Sequence, residues 1–455
     1  MTKQELDERL VAVTPSERQL AYEDLEFIGF FHFTINTFTG REWGDGSEDP
    51  KLFNPTKLDA LQWVRAMKAA GMKGVILTCK HHDGFCLWPS AYTDYSVKSS
   101  PWKNGEGDVV REVADACRAE NMKFGIYVSP WDRHEKCYGT GEEYNDYFCH
   151  QLGELLTGYG ELFCVWFDGA CGEGPNGKRQ EYDWERYYEL IRKYQPKAVI
   201  SVCGPDVRWC GNEGGFVRPA EWSVVPKRCA DTEKVAAKSQ QTDDAEFRQR
   251  KISAMDQDLG SREILQDEED LIWYPAEVNV SIRPGWFYHP EEDSQVRTVE
   301  NLEDIYLGAV GGNANFLLNV PPNQEGLLAE EDVEVLTKLG EKLRADFAHN
   351  IAESRTYETI KNVTSLEIPF AWDEPKNVTF VEICEDITKS QRIEKVEILI
   401  KKKETWERAG LAEAVGHKKI FKIQEKGIQG LKVRVLEARE SIHIKNIAIY
   451  EENGE

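Results

Sequence analysis

The chain has 455 residues, of which 41% are hydrophobic and 30% charged; that is enough apolar content for a large domain plus a smaller one, without the depletion that marks disorder. Its 56 Lys and Arg stand against 80 Asp and Glu, a net charge of −24, which argues against nucleic acid or an anionic membrane as partner and favours a neutral or cationic ligand. No apolar run of signal-peptide length opens the chain and none elsewhere approaches a membrane span, while the eleven cysteines, an odd number with several inside apolar runs, read as reduced thiols. The expectation is a soluble, cytoplasmic protein.

In chain order, short apolar runs at 27–33, 74–78, 124–128, 162–167, 198–203 and 316–320 have the character of strands buried on both faces, as a parallel sheet requires. Amphipathic helices alternate with them at 55–70, 108–120, 143–157 and 184–194. In the first, Asn54 is a candidate cap, Pro55 suits the first turn and Gly71 ends the helix. Weaker strand candidates at 221–225 and 277–281 raise the count to eight, the number that closes a (β/α) barrel. The long polar stretch 227–270 does not read as one crossover helix, so an irregular (β/α)8-type barrel is expected. A helix at 333–344 leads out of it. Beyond about residue 347, alternating segments at 377–383, 395–400 and 431–436 give the pattern of a C-terminal β-sandwich. The expected domains are residues 1–345 and 346–455.

In such a barrel the chemistry sits at the carboxyl ends of the strands. Asp168 follows the apolar run 162–167 and precedes Gly169; it reads either as a carboxylate at the rim of a buried strand or as an ordinary Asp-Gly turn. His81, His82 and Asp83 close the second strand. Neighbours on an extended chain point to opposite sides, so the two histidines suit one metal ion poorly. Hydrogen bonding to a polyhydroxylated ligand suits them better, provided the chain bends there. His32 and Tyr127 lie in strand candidates, where each reads as a site residue or a satisfied core residue. The 13 tryptophans, among them Trp43, Trp88, Trp131, Trp209 and Trp286, lean towards carbohydrate, because sugar rings present apolar C–H faces that pack on indole.

Phe30-Phe31-His32-Phe33, Arg41-Glu42-Trp43-Gly44, His81-His82-Asp83-Gly84-Phe85, Tyr127-Val128-Ser129-Pro130-Trp131, Trp166-Phe167-Asp168-Gly169 and Gly311-Gly312-Asn313, in this order, resemble the α-L-fucosidases of glycoside hydrolase family 29. That resemblance implies a retaining mechanism on a fucosylated oligosaccharide, with Asp168 as nucleophile. It also implies a fucose pocket of His32, Glu42, Trp43, His81, His82 and Tyr127, with Trp286 facing the sugar methyl group and Arg208 as a looser match. The segment 211–215, Gly-Asn-Glu-Gly-Gly, with Glu221-Trp222-Ser223, resembles the subgroup acting on α-1,3/1,4-linked fucose of Lewis-type glycans. The acid/base role goes to Glu213, with Glu221 as its rival. Two carboxylates supply every acid, base and nucleophile role of retention, so neither a metal nor an organic cofactor is expected. Two other classes fit parts of the pattern: a metal-dependent barrel hydrolase and a non-catalytic glycan-binding protein.

Overall fold

The computed structural model describes residues 2–232, 235, 258–352 and 363–452. The six apolar runs become parallel strands: β1 (Phe27–Phe31), β2 (Gly74–Lys80), β3 (Lys123–Val128), β4 (Cys164–Phe167), β5 (Val199–Val202) and β10 (Ala314–Asn319). Two more join them, β6 (Arg208–Trp209) and β9 (Ala276–Ser281), giving the order β5-β4-β3-β2-β1-β10-β9-β6. A single parallel bridge between Ser201 and Val207 brings the two edges together, so the barrel is nearly closed.

Alternation along each strand divides the side chains. Ile28, Phe30, Ile76, Tyr127, Trp166 and Leu317 pack inside the barrel, whereas Phe27, Phe31, Val75, Leu77, Ile126 and Phe167 pack outward with the surrounding helices. Burial on both faces explains why these strands read as continuous apolar runs.

Two elements differ from the sequence reading. The strand candidate 221–225 is not a barrel strand. Val224–Pro226 (β7) instead pairs antiparallel with Leu271–Trp273 (β8) in a separate ribbon, and Arg208–Trp209 takes the barrel position, where Arg208 N–H donates to Pro275 O and Cys210 N–H to Glu277 O. The helix expected over 55–70 begins only at Ala60, because Asp59 caps it by accepting from the Leu61 and Gln62 N–H groups. Lys57 and Asp59 give their own N–H groups to Glu325 and Gly326, which keeps residues 54–59 a loop. Of the stretch 227–270, residues 233, 234 and 236–257 lie outside the described residues.

After the helix Glu330–Asp346 the chain forms β11 (Leu366–Glu385), β12 (Ile393–Lys402), β13 (Thr405–Ala412), β14 (Lys419–Ala438) and β15 (Ile444–Glu451), in the order β13-β12-β14-β11-β15. Both long strands serve two layers. β11 pairs with β14 through 366–371 and again, after register shifts, through 376–383; β12 extends the first half and β15 the second. Ile368 and Val433 from one half share a core with Val381 and Ile449 from the other, which is the β-sandwich arrangement. Among the described residues no helix is long and apolar enough to cross a membrane. All eleven cysteines are free.

Candidate active site

An open cavity lies at the carboxyl ends of the barrel strands. Of the residues singled out from sequence, His32, Trp43, His81, His82, Asp168, Glu213 and Trp286 line it, together with Trp166, Val202, Trp209 and Asn279.

Asp168 leaves the sheet directly after β4. Its Oδ1 accepts the Ala170 N–H at 2.8 Å and its Oδ2 the Tyr127 hydroxyl at 2.9 Å. Tyr127 is fully buried beneath the carboxylate, stacked on Trp166 at 5.1 Å. The Trp166 indole donates at 2.8 Å to Glu277 inside the barrel, a carboxyl that burial pushes up to about 7. The orientation of the carboxylate is therefore set by two donors, one of them packed into the barrel core.

β2 ends at Lys80, whose buried ammonium donates to Asp132 and Gln151 at 3.1 and 2.9 Å. The chain then turns sharply, with Gly84 N–H donating to the His81 carbonyl at 3.0 Å. Gly84 has φ +90°, and a Cβ there would lie 2.4 Å from Asp132 Oδ1, so the turn requires glycine. Its effect is to gather the two adjacent histidines, with ring centroids 4.1 Å apart. The divergence expected of an extended chain does not occur. Ligand atoms of His81, His82 and Asp168 lie within 4.8 Å of one another, a spacing a metal ion could use.

The hydrogen bonds behind the histidines assign their protons. Ser129 spends its own proton on the Trp131 carbonyl at 2.8 Å, so the His82 Nδ1 2.7 Å from its oxygen is the donor, and His82 Nε2, 3.6 Å from Asp168, carries a lone pair. The Asn319 amide nitrogen donates to Ser281 and Trp286, which turns its oxygen to His32 Nδ1 at 2.8 Å and leaves His32 Nε2 an acceptor. His81 Nδ1 faces the amide nitrogen of Asn36 at 3.4 Å and accepts, so Nε2 of His81 bears the proton. Burial lowers all three, His32 and His82 to about 4 and His81 well below its ordinary value. Three neutral imidazoles with fixed donors and acceptors suit an uncharged polyol. A protonated His81 Nε2 opposes metal ligation. Exhaustive chelation should leave kcat/KM unchanged; activity lost to EDTA and restored by one added divalent ion would contradict this reading.

Three residues of the expected fucose site, Tyr127, Glu42 and Arg208, stand outside the lining. Tyr127 acts from below, through Asp168. Glu42 accepts the Trp286 and Phe287 N–H groups at 2.8 and 3.3 Å and His289 at 2.7 Å; burial works against its charge, but these donors hold its pKa below the ordinary value. It fastens the loop that presents Trp286. Arg208 is buried away from the cavity, donating to Glu221 and, at 2.7 and 2.8 Å, to the Trp222 and Tyr274 carbonyls.

Asn279 and Val202 were not singled out from sequence. Asn279 is 5% exposed and its Oδ1 is buried without a hydrogen-bond partner, an acceptor held out to whatever fills the cavity. The signal was present: Glu277, Asn279 and Ser281 are three polar residues at a period of two on one buried strand. Val202 lines the cavity with φ +67°, a conformation rare for a β-branched residue. No sequence pattern announces it.

A parallel barrel with carboxylates and neutral imidazoles at its strand ends, walled by tryptophan, is the architecture of a glycoside hydrolase. The model of the alpha-L-fucosidase family matches residues 17–346. Alpha-L-fucosidase 1 of Arabidopsis thaliana is 40% identical over 96% of this chain and 87% of its own length. A crystal structure from Bacteroides ovatus superimposes with a TM-score of 0.91 at 44% identity, covering all of this chain and 77% of that one. A Ruminococcus gnavus family 29 fucosidase solved with fucose gives 0.82 at 28% identity, covering 97% and 95% of the two chains. The chain belongs to the α-L-fucosidases of glycoside hydrolase family 29.

Proposed function

We propose that this fucosidase is a retaining enzyme that removes terminal α-1,3/1,4-linked fucose from Lewis-type glycans, with Asp168 as nucleophile and Glu213 as acid/base. The observation that carries the reading is the fate of the three candidate carboxylates. Asp168 and Glu213 line one cavity, whereas Glu221 is 2% exposed with both oxygens engaged by arginines. Burial opposes the Glu221 charge, but Arg208 and Arg218 keep its pKa below the ordinary value, the wrong direction for a proton donor.

In the first step Asp168 Oδ attacks C1 of fucose, the C1–O bond to the aglycone breaks, and the leaving oxygen takes the proton of Glu213. In the second, Glu213 takes a proton from water, whose oxygen attacks C1 and releases Asp168 and fucose in its original α configuration. Trp43, which is 37% exposed and edge-on to His82 at 5.4 Å, and Trp286, 5.2 Å from His32, offer apolar walls to the ring. The lone pairs of His32, His82 and Asn279 accept sugar hydroxyls, and His81 donates. Glu42 serves the sugar indirectly, through the loop of Trp286.

The linkage preference rests on the likeness of the Glu213 loop to that subgroup. A panel of fucosylated oligosaccharides assayed for released fucose tests it. Lewis trisaccharides, with fucose on a GlcNAc also bearing galactose, should exceed 2′-fucosyl and aryl fucosides in kcat/KM; equal or better turnover of the simple substrates would contradict it. Residues 1–345 form the catalytic domain in this reading and 346–455 the appended β domain. A cytoplasmic site of action is supported by the eleven free cysteines.

A further inference from the structure

The loop that carries Glu213 starts and ends on arginines, Arg208 and Arg218, and both reach one buried carboxylate. Glu221 Oε1 accepts from Arg208 Nη2; its Oε2 accepts from the Arg218 backbone N–H at 3.2 Å and from Arg218 Nη1 at 3.4 Å. The Arg218 guanidinium also reaches across the base of the loop to the Cys210 carbonyl at 3.5 Å. Between these ends Asn212 ties the loop to itself, its oxygen accepting the Gly214 and Phe216 N–H groups and its amide donating to the Phe216 carbonyl. The Glu221 carbonyl is held in turn by Asn313 at 2.8 Å and by Gln391 of the C-terminal domain at 3.2 Å.

We propose that Glu221 is a positioning residue: an ionic staple that closes both ends of the 210–217 loop and thereby sets where the Glu213 carboxyl meets the leaving-group oxygen. The inference rests on Glu213 being the acid/base. Three glycines, Gly211, Gly214 and Gly215, give the loop wide conformational freedom, and two of them have positive φ. A loop of that composition cannot hold a carboxyl to within a few tenths of an ångström by itself; anchoring both ends to one buried charge supplies the constraint. Displacement of a catalytic group by about 1 Å costs on the order of 100-fold in rate.

The test compares a poor leaving group with a good one. Glu221→Gln and Arg218→Gln are assayed on a Lewis trisaccharide and on 4-nitrophenyl α-L-fucoside, with Glu213→Ala in parallel. Acid assistance matters most when the leaving group is basic and kcat/KM reports the first step alone, so both staple variants should lose about 10- to 100-fold in kcat/KM on the glycan and less than about threefold on the aryl fucoside. A general loss of structure would lower both substrates alike; equal losses, or no loss on either, overturn the staple. Should Glu221→Gln fail to fold, Arg218→Gln decides by the same ratio, because it leaves the Arg208–Glu221 pair in place. If Glu213→Ala shows the leaving-group dependence and the staple variants do not, the staple alone fails. If Glu213→Ala lacks it, the acid assignment falls and the staple with it.

Discussion

Asp168→Asn should fold, bind fucose and turn over almost nothing. The substitution keeps the size of the side chain and one acceptor for the Ala170 N–H or the Tyr127 hydroxyl, but removes the negative charge that attacks C1. Loss of a covalent nucleophile costs on the order of 10⁴- to 10⁶-fold in kcat. Binding should change far less, since the neighbouring imidazoles, Asn279 and the tryptophans are untouched. Isothermal titration with fucose beside steady-state turnover separates the two effects, and a variant with near wild-type rate would remove Asp168 from the role. Azide added to the smaller Asp168→Gly variant should occupy the vacated face and give the inverted product, β-fucosyl azide.

Glu213→Ala should fail in a different way. Removing a general acid costs about 10²- to 10⁴-fold on a substrate with a basic leaving group and much less when the leaving group is already acidic. Lewis glycans should therefore resist this variant while a nitrophenyl fucoside reacts and leaves the fucosyl-enzyme to accumulate. Azide needs no general base and should rescue the second step from the face the aglycone left, giving α-fucosyl azide. The two variants should thus yield opposite anomers from the same nucleophile. If Glu221→Ala gives the α-azide pattern and Glu213→Ala does not, the acid role moves to Glu221.

How much was legible in the sequence depended on whether local or distant residues decide the outcome. Strands such as Phe27–Phe31 and Gly74–Lys80 are buried on both faces, so their apolar runs report the barrel directly. Asp168 was legible for the same reason, because the end of such a run marks the rim where the site is built. Arg208–Trp209 was not read as a strand: two residues carry no periodicity, and their place in the sheet comes from pairing with Ala276 and Glu277 far along the chain. The helix start at Ala60 rather than Pro55 follows from which N–H groups residues 325–326 capture. The closeness of His81 and His82 depends on a glycine turn fitted against Asp132, a distant contact. The separate surroundings of Glu213, which lines the cavity, and Glu221, buried between two arginines, were invisible locally, since both are glutamates near one loop.

The most direct test of the account is to trap the intermediate. Incubation with a 2-deoxy-2-fluoro-fucosyl fluoride, whose C2 fluorine slows both steps while its good leaving group restores the first, should inactivate the enzyme with addition of one fluorofucosyl group. Peptide mapping by mass spectrometry should find that group on the peptide containing Asp168, and free fucose should protect against its formation. An adduct on another carboxylate, or none while β-fucose is the first product seen by NMR, would contradict a retaining mechanism through Asp168.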